Sequence, residues 1–264
     1  MNLYATNGIN IHGYTQTKWL GRDNESNFNR LSESHKKIWG NVEIIYEINS
    51  YGFRGSWTKE SVETMGDYVL VLGSSETFGQ GLPVDSIWHS VIQRKINIPI
   101  INLGSPGLSI DASLYNLIEW LDNINNKPKH IIWSWSNPTR YFFVDDNKKQ
   151  LSVYVQNIES LKNSLSIETC YNLSNFLLDY NIQISELVKI KHITKLIYPK
   201  PKIFRIFDDS ENYNYIKLDI PNFSPLKLFN YSNDAHFLPK ARDGEHWGVE
   251  SHRLLGEAVF NEFF

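Results

Sequence analysis

The chain of 264 residues is 41% hydrophobic and 14% aromatic, so it is long enough and apolar enough to bury a substantial core. Its formal charge of −3, from 26 basic and 29 acidic residues, and its lack of a dense Lys/Arg block argue against a nucleic-acid partner. Its single cysteine, Cys170, excludes an internal disulfide.

The N-terminal region has no targeting signal and little regular pattern. The first twenty residues lack the charged start and apolar centre of a signal peptide, and no later apolar run approaches the ~20 residues that cross a bilayer. We therefore expect a soluble, cytoplasmic protein that does not contact membranes. Residues 1–40 have no sustained pattern, which predicts an irregular stretch. The run Val42–Asn49 is typical of a strand, and Ser50–Gly55 of a turn. Together these segments form a predicted N-terminal arm of about residues 1–60.

Beyond the arm, short apolar runs alternate with helical patterns. The runs Tyr68–Leu72, Ile98–Leu103 and His130–Trp135 are typical of strands buried on both faces. Apolar residues recur at helical spacing between them, first at Ile87, Trp88, Val91 and Ile92 behind a cap at Asp85 or Ser86, then at Ile110, Leu114, Leu117, Ile118 and Leu121. This alternation predicts a three-layer α/β/α sandwich with a central parallel sheet, in which active sites lie at the carboxyl ends of the strands.

Residues of about 141–235 are less regular and predict a variable insert. Within them Ser160–Leu165 and Leu173–Ile197 have mostly helical patterns, whereas Lys202–Phe207 and Tyr215–Ile220 resemble strands. The closing segment Gly248–Phe264 predicts a terminal helix packed on the sheet. No repeat or linker divides the chain, so we expect a single domain over residues 1–264.

A serine and an Asp-x-x-His pair are the candidate catalytic residues. A serine hydroxyl becomes a nucleophile when a neighbouring base takes its proton, and a histidine base works best when a carboxylate fixes its tautomer. Ser75 follows the first buried strand, and Asp243 and His246 lie just before the terminal helix. We therefore predict a Ser75–His246–Asp243 triad. The alternatives are that Ser75 is a turn residue and that Asp243 only caps the terminal helix.

The order and spacing of these residues resemble the SGNH hydrolases, also called GDSL esterases and lipases. The segment Gly73–Gly79 (GSSETFG) resembles the first block of that family, with Ser75 at the nucleophile position, and Asp243–His246 resembles its fifth block. The lead-in Asn49–Gly55 (NSYGFRG) is also similar to a segment of one branch of the family. The resemblance implies the flavodoxin-like sheet of the SGNH hydrolase fold and an ester-hydrolysing activity.

The resemblance also implies an oxyanion hole. Its donors would be the backbone N–H groups of Ser75 and Gly107 and the side chain of Asn137, with Gly104 a less favoured choice for the glycine. The alternative is that Gly107 and Asn137 are ordinary turn residues. Three residues depart from the family pattern: Ser74 stands where an aspartate is usual, and Trp135 and Pro138 replace a glycine and an aspartate.

Three further residues are candidates for substrate contact. Arg140 could hold an acidic or polyhydroxylated substrate, although a structural salt bridge is the favoured interpretation, and Trp247 could stack on a sugar or close the core. Glu76 follows the candidate nucleophile directly, and the sequence assigns it no role.

The histidines do not predict a metal site. His236, His246 and His252 match no common metal-ligand spacing, and we expect His252 on a solvated helix face. No metal and no cofactor are therefore predicted.

The predicted function is that of a serine esterase or acylhydrolase. Its substrate would be a small-molecule or glycan ester, with acetylated carbohydrate favoured over long-chain lipid because no extended apolar stretch resembles a lid. Two alternatives stay open: an O-acyltransferase that uses the same site, and a non-catalytic binding or structural protein on a hydrolase scaffold. The sequence does not define the oligomeric state.

Overall fold

The computed structural model describes residues 1, 3–5, 14–137, 140–144, 150–154, 180–206, 223–226 and 238–264. Its strands are β1 (Thr15–Thr17), β2 (Tyr46–Ile48), β3 (Val69–Leu72), β4 (Ile100–Asn102), β5 (His130–Ser134), β6 (Arg140–Val144), β7 (Gln150–Tyr154), β8 (Lys202–Ile206) and β9 (Phe223–Leu226). Its α-helices are α1 (Glu25–Asn29), α2 (Glu33–Trp39), α3 (Lys59–Thr64), α4 (Ser75–Phe78), α5 (Trp88–Ile96), α6 (Ile110–Asn123), α7 (Tyr180–Thr194) and α8 (Val249–Phe263).

Five of these strands form one parallel sheet in the order β4-β3-β5-β8-β9. Val69 of β3 lies opposite Ile100 of β4 on one side and His130 of β5 on the other. The chain therefore moves from β3 outward to β4 and then returns to the other side of β3, as in flavodoxin-like sheets. The predicted parallel sheet is confirmed, and the point where the strand order reverses lies between β3 and β5.

Helices cover both faces of the sheet. Leu70 and Leu72 of β3 belong to a buried cluster that includes residues of α6, whereas Val69 and Val71 belong to a second cluster that includes residues of α5 and α8. All four β3 side chains are fully buried, which explains why this strand is an unbroken apolar run. The predicted three-layer α/β/α architecture is therefore present in the described residues.

The N-terminal region is more regular than predicted. Residues 14–39 contain strand β1 and helices α1 and α2, and the predicted strand Val42–Asn49 is reduced to β2, which pairs with β1 in an antiparallel ladder. Helices α1 and α2 are short, with Asn24 and Ser32 as their N-caps. Elements of five to seven residues give a weak periodic signal, because most of their stability comes from packing.

The second half of the chain also departs from prediction in places. Strands β6 and β7 form an antiparallel pair that the sequence did not predict, and β9, which contains Pro225, is an edge strand that it missed. Proline lowers the strand propensity of that run but is tolerated at a sheet edge. The predicted helix Ser160–Leu165 and strand Tyr215–Ile220 lie outside the described residues.

The start of α5 differs from the prediction, whereas the terminal helix lies within the predicted segment Gly248–Phe264. A single 3₁₀ turn, Val84–Ser86, precedes α5, so that Ile87 rather than Asp85 or Ser86 is the N-cap of α5. The terminal helix α8 has Gly248 as its N-cap. Asp243 is therefore not the cap of α8, which removes the purely structural alternative considered for it. None of the helices in the described ranges has the length and apolar character needed to cross a membrane.

Candidate active site

The candidate nucleophile lies at the carboxyl end of the central strand β3. Ser75 is the first residue of the one-turn helix α4, and its side chain is largely buried, with 8% of its surface exposed. The preceding residue, Ser74, makes no capping hydrogen bond, and within the described residues neither the N–H nor the Oγ of Ser75 has a hydrogen-bond partner. Ser75 thus carries an unused donor and an unused hydroxyl at the sheet edge where ligands bind in this type of fold.

The loop after β4 distinguishes between the two candidate glycines. The N–H of Gly104 donates to the Oδ1 of Asn102 at 2.7 Å, so this donor is occupied. Gly104 packs against helix α4, and a Cβ at this position would lie 2.7 Å from the backbone nitrogen of Phe78. Gly107 has a φ of 78° in the left-handed region, and its N–H makes no hydrogen bond to any described residue. Of the two glycines, Gly107 and not Gly104 therefore has a backbone N–H without a hydrogen-bond partner among the described residues.

The loop after β5 carries Asn137. Its backbone oxygen accepts the N–H of Arg140 at 3.1 Å, and Asn137 is half-buried. The neighbouring Pro138, one of the departures from the family pattern, lies outside the described residues. Because β5 is the other neighbour of β3, the sheet brings the loops of Ser75, Gly107 and Asn137 to one edge.

Asp243 and His246 form the polar pair that their spacing predicts. The Nδ1 of His246 is hydrogen-bonded to the Oδ2 of Asp243. The other carboxylate oxygen of Asp243, Oδ1, accepts the backbone N–H groups of Glu245 and His246, both at 3.0 Å. Asp243 is only 3% exposed. Its carboxylate is therefore buried and is held in place by three hydrogen bonds.

These contacts shift both pKa values in the sense that suits a general base. Burial lowers the pKa of His246, but the hydrogen bond and charge of Asp243, followed by the charges of Glu76 and Glu245, raise it more, so that it lies above its ordinary value. Burial raises the pKa of Asp243, but the hydrogen bond and charge of His246 and two backbone N–H groups lower it more. Asp243 is therefore ionised at neutral pH and fixes the Nε2 of His246 as the basic nitrogen.

The segment that begins at Ser75 and the loop that carries Asp243 and His246 are in direct contact. The N–H of Arg242 donates to the carbonyl oxygen of Gly81 at 3.0 Å, and the charge of His246 acts on Glu76, the residue after Ser75. Within the described residues no hydrogen bond joins Ser75 Oγ to His246. Such catalytic contacts are often long in the absence of substrate and shorten when it binds.

Glu76 adds a second carboxylate that the sequence did not explain. Its Oε2 accepts the hydroxyl proton of Ser74 at 2.6 Å. Burial raises the Glu76 pKa, but the hydrogen bond from Ser74 and the charges of His246 and Arg140 lower it more, so that this carboxylate is ionised. The Ser-x-Glu spacing at positions 74 and 76 could have indicated the hydrogen bond between these two residues. Only the fold, however, brings Glu76 within range of the charges on His246 and Arg140.

Arg140 and Trp247 have structural contacts. Arg140 is 8% exposed, and its Nη1 donates to the carbonyl oxygen of Leu108 at 3.2 Å, which connects the loop after β4 to the start of β6. Trp247 is half-buried and packs against the cluster that holds Val69 and Val71. The core contact considered for Trp247 is therefore present.

His252 does not lie where the sequence predicted it. Its side chain is buried rather than solvated, and its Nδ1 accepts the N–H of Trp88 at 3.2 Å. Burial lowers its pKa to about 4, which keeps the ring neutral behind the site. The other histidine singled out, His236, lies outside the described residues. In the ranges that the structure describes, no group of three or more His, Cys, Asp or Glu side chains is arranged to hold a metal ion.

Comparisons with known proteins find similarity only at the level of solved structures. No family model and no curated protein matches the chain. A lipolytic protein of the G-D-S-L family from Veillonella parvula DSM 2008 is 13% identical over 75% of this chain and 98% of that one, with a TM-score of 0.42. An acetyl xylan esterase from the rumen bacterium Butyrivibrio proteoclasticus is 10% identical over 75% of this chain and 63% of its own, with a TM-score of 0.41. An active-site mutant of a family two carbohydrate esterase from Clostridium thermocellum is 11% identical over the same shares, with a TM-score of 0.35.

Proposed function

We propose that the chain is a serine esterase or acylhydrolase of the SGNH type, with Ser75 as nucleophile, His246 as general base and Asp243 as the orienting acid. The observation that carries the proposal is the buried pairing of the Asp243 carboxylate with the Nδ1 of His246. This pairing leaves Nε2 as the basic nitrogen, on a loop that contacts the loop of Ser75. The same three residues carry the resemblance to the family in the sequence.

In the proposed reaction the Nε2 of His246 takes the Ser75 proton as Oγ attacks the ester carbonyl. The N–H groups of Ser75 and Gly107 and the amide of Asn137 stabilise the negative oxygen of the tetrahedral intermediate. The intermediate collapses to an acyl-serine, and the His246 proton passes to the departing alcohol. A water molecule, deprotonated by His246, then attacks the acyl group and releases the acid with the serine restored.

The substrate we favour is a short acyl ester of a hydroxyl-rich alcohol, such as an acetylated glycan. The charges of His246 and Arg140 both act on the Glu76 carboxylate at this site, so its described surroundings suit polar groups better than a long alkyl chain. An ionised Glu76 beside the nucleophile also disfavours substrates with a negative charge near the scissile bond.

Hydrolysis measured over a panel of acyl chain lengths and acetylated glycans, with the Ser75→Ala variant, tests this proposal. Loss of the nucleophile is expected to lower turnover by ~10⁶, whereas Ser113→Ala is expected to leave it unchanged. Ser113, on α6, is also buried, and its Oγ donates to the carbonyl oxygen of the N-cap Ser109, so it controls for the loss of a buried hydroxyl. Equal hydrolysis by wild type and Ser75→Ala would refute the catalytic role, and transfer to an added alcohol in preference to water would identify an acyltransferase.

A further inference from the structure

A buried polar cluster joins the N-terminal region to the two loops of the candidate site. Its members are Asp23, Tyr46, Arg54 and Arg242, which are between 0% and 5% exposed. Charged groups are seldom buried unless they are paired, because burial removes their hydration. None of these residues belongs to the proposed triad or oxyanion hole. The free-energy cost of burying their charges therefore needs another explanation.

Arg54 binds the chain that follows the nucleophile. Its Nη1 donates to the carbonyl oxygen of Gly79 at 2.6 Å, and its Nη2 donates to that of Leu82 at 2.8 Å. These carbonyls lie just beyond helix α4, which begins at Ser75. Its guanidinium carbon also lies 4.6 Å from the centre of the Tyr46 ring, within the range of a cation–π contact.

Tyr46 connects the same segment to Asp23. Its hydroxyl donates to the Oδ2 of Asp23 at 2.5 Å and accepts the N–H of Gly81 at 2.8 Å. Burial, together with the charge of Asp23 and the hydrogen bond to it, raises the Tyr46 pKa far above its ordinary value. The hydroxyl therefore remains a neutral donor at every pH at which the protein would work.

Asp23 continues the connection to the acid–base loop. Arg242 makes a two-pronged contact with its carboxylate, Nε to Oδ1 at 2.9 Å and Nη2 to Oδ2 at 2.7 Å. Arg242 directly precedes Asp243, and its own N–H donates to the Gly81 carbonyl at 3.0 Å. The hydrogen bonds thus form a closed ring through Gly81, Tyr46, Asp23 and Arg242, with both polar backbone groups of Gly81 engaged.

We propose that Tyr46 is a positioning residue for this site, whose hydroxyl sets the separation of the Ser75 loop from the Asp243–His246 loop. The inference rests on the proposed function, because positioning matters here only if Ser75 and His246 react together. A shift of ~1 Å between reacting groups can lower a rate ~10²-fold, so a rigid ring linking the two loops has a catalytic consequence. The lead-in segment Asn49–Gly55 supplies Arg54 to the same cluster, a contact that the sequence alone did not predict.

Tyr46→Phe removes the hydroxyl and keeps the ring, and Tyr68→Phe is its matched control. Tyr68 is also fully buried; its hydroxyl donates to the Asn126 carbonyl at 2.7 Å and accepts the Trp120 Nε1–H at 3.0 Å. It precedes β3, at the end of the strand opposite Ser75. Both variants are expected to lose a similar amount in Tm, but only Tyr46→Phe is expected to lower kcat, by ~10–100-fold with little change in KM.

A second measurement, by NMR, tests the geometry of the Asp243–His246 pair without measuring catalysis. The proton between His246 and Asp243 should give a downfield NMR signal in wild type and in Tyr68→Phe, and a shifted or broadened signal in Tyr46→Phe. If Tyr46→Phe does not fold, Arg242→Lys, which keeps the charge but cannot make the two-pronged contact with Asp23, is expected to show the same pattern.

Wild-type kcat and an unchanged His246 signal in Tyr46→Phe would overturn the inference, as would equal losses of kcat in the two tyrosine variants. Failure of the proposed function is distinguishable, because wild-type protein would then hydrolyse no ester. In that case the His246 signal alone decides whether Tyr46 positions the loop.

Discussion

Outside the proposed triad, Glu76 is the residue whose charge raises the His246 pKa most. Its carboxylate adds to the negative charge that raises the His246 pKa, after the larger contribution of Asp243. The charge of Glu245, in the same loop as His246, also raises this pKa, whereas the pKa of His252 on α8 is lowered to about 4 and its ring is neutral at working pH. Glu76 is thus a carboxylate outside the proposed triad that raises the pKa of the triad's histidine.

Glu76→Gln is expected to lower the His246 pKa. A glutamine can still accept the Ser74 hydroxyl proton, so the substitution removes the charge but keeps the hydrogen bond. Because His246 must be neutral to act as a base, kcat/KM falls as the pH drops through its pKa, and the acid limb should move to lower pH in the variant. The full pH profile of kcat/KM, with Glu63→Gln as a remote control, measures this shift. An acid limb that stays in place or moves to higher pH would contradict the assignment.

Local spacing explains which site contacts the sequence could predict. Asp243 and His246 are three residues apart, so one turn brings their side chains together, as observed. The influence of Glu76 on His246 spans 170 positions of sequence and exists only because the chain folds back at Gly81 and Arg242. No local pattern encodes such a contact, since it depends on how the two loops pack.

At the scale of elements, the terminal helix α8 is held against α5 at Gly256. A Cβ at Gly256 would lie 2.6 Å from the Trp88 carbonyl oxygen and 2.7 Å from the Cβ of Val91. The helices therefore approach closely at this residue, and α8 begins three residues after His246. The packing of the helix is part of what holds the acid–base loop in place.

Gly256→Ala is expected to destabilise the protein, although alanine favours a helix over glycine by ~1 kcal/mol. Overpacking against a backbone carbonyl costs ~1–3 kcal/mol, so the net effect should be a lower Tm. Gly66→Ala is the control, because a Cβ there meets no atom within 4 Å. Thermal unfolding of both variants makes the test, and a Gly256→Ala protein at least as stable as wild type would show that α8 does not pack this tightly.

The elements that the sequence predicted well are those whose burial produces a clear pattern. Strand β3 is buried on both faces, and helix α6 has one apolar face and Ser109 as its N-cap, so both produced clear signals. The short helix α1 contains no buried residue and was missed for that reason. The missed edge strand β9 contains a proline, which masks its strand signal.

At the scale of the whole molecule, the strand order explains why the site lies where it does. The order reverses between β3 and β5, and sheets of this kind bind ligands beyond the carboxyl ends of the strands at that point. Ser75 follows β3 and Asn137 follows β5, so both lie at this edge. Alternating strands and helices predict a parallel sheet, but the order of its strands is set by tertiary packing and, without the family resemblance, could not be obtained from that alternation.

If the folded protein activates Ser75, a fluorophosphonate probe should label this serine covalently. Activation requires the base, so the native protein should be labelled at Ser75, identified by peptide mass mapping, while His246→Ala and the heat-unfolded chain should not. The accessible serine Ser90, which lies on α5, serves as the internal reference for non-specific reaction. The predicted result is that Ser75 is labelled in the native wild type and not in the other two samples. An unlabelled Ser75 in native protein, or equal labelling of the folded and unfolded chains, would show that the fold does not activate this serine.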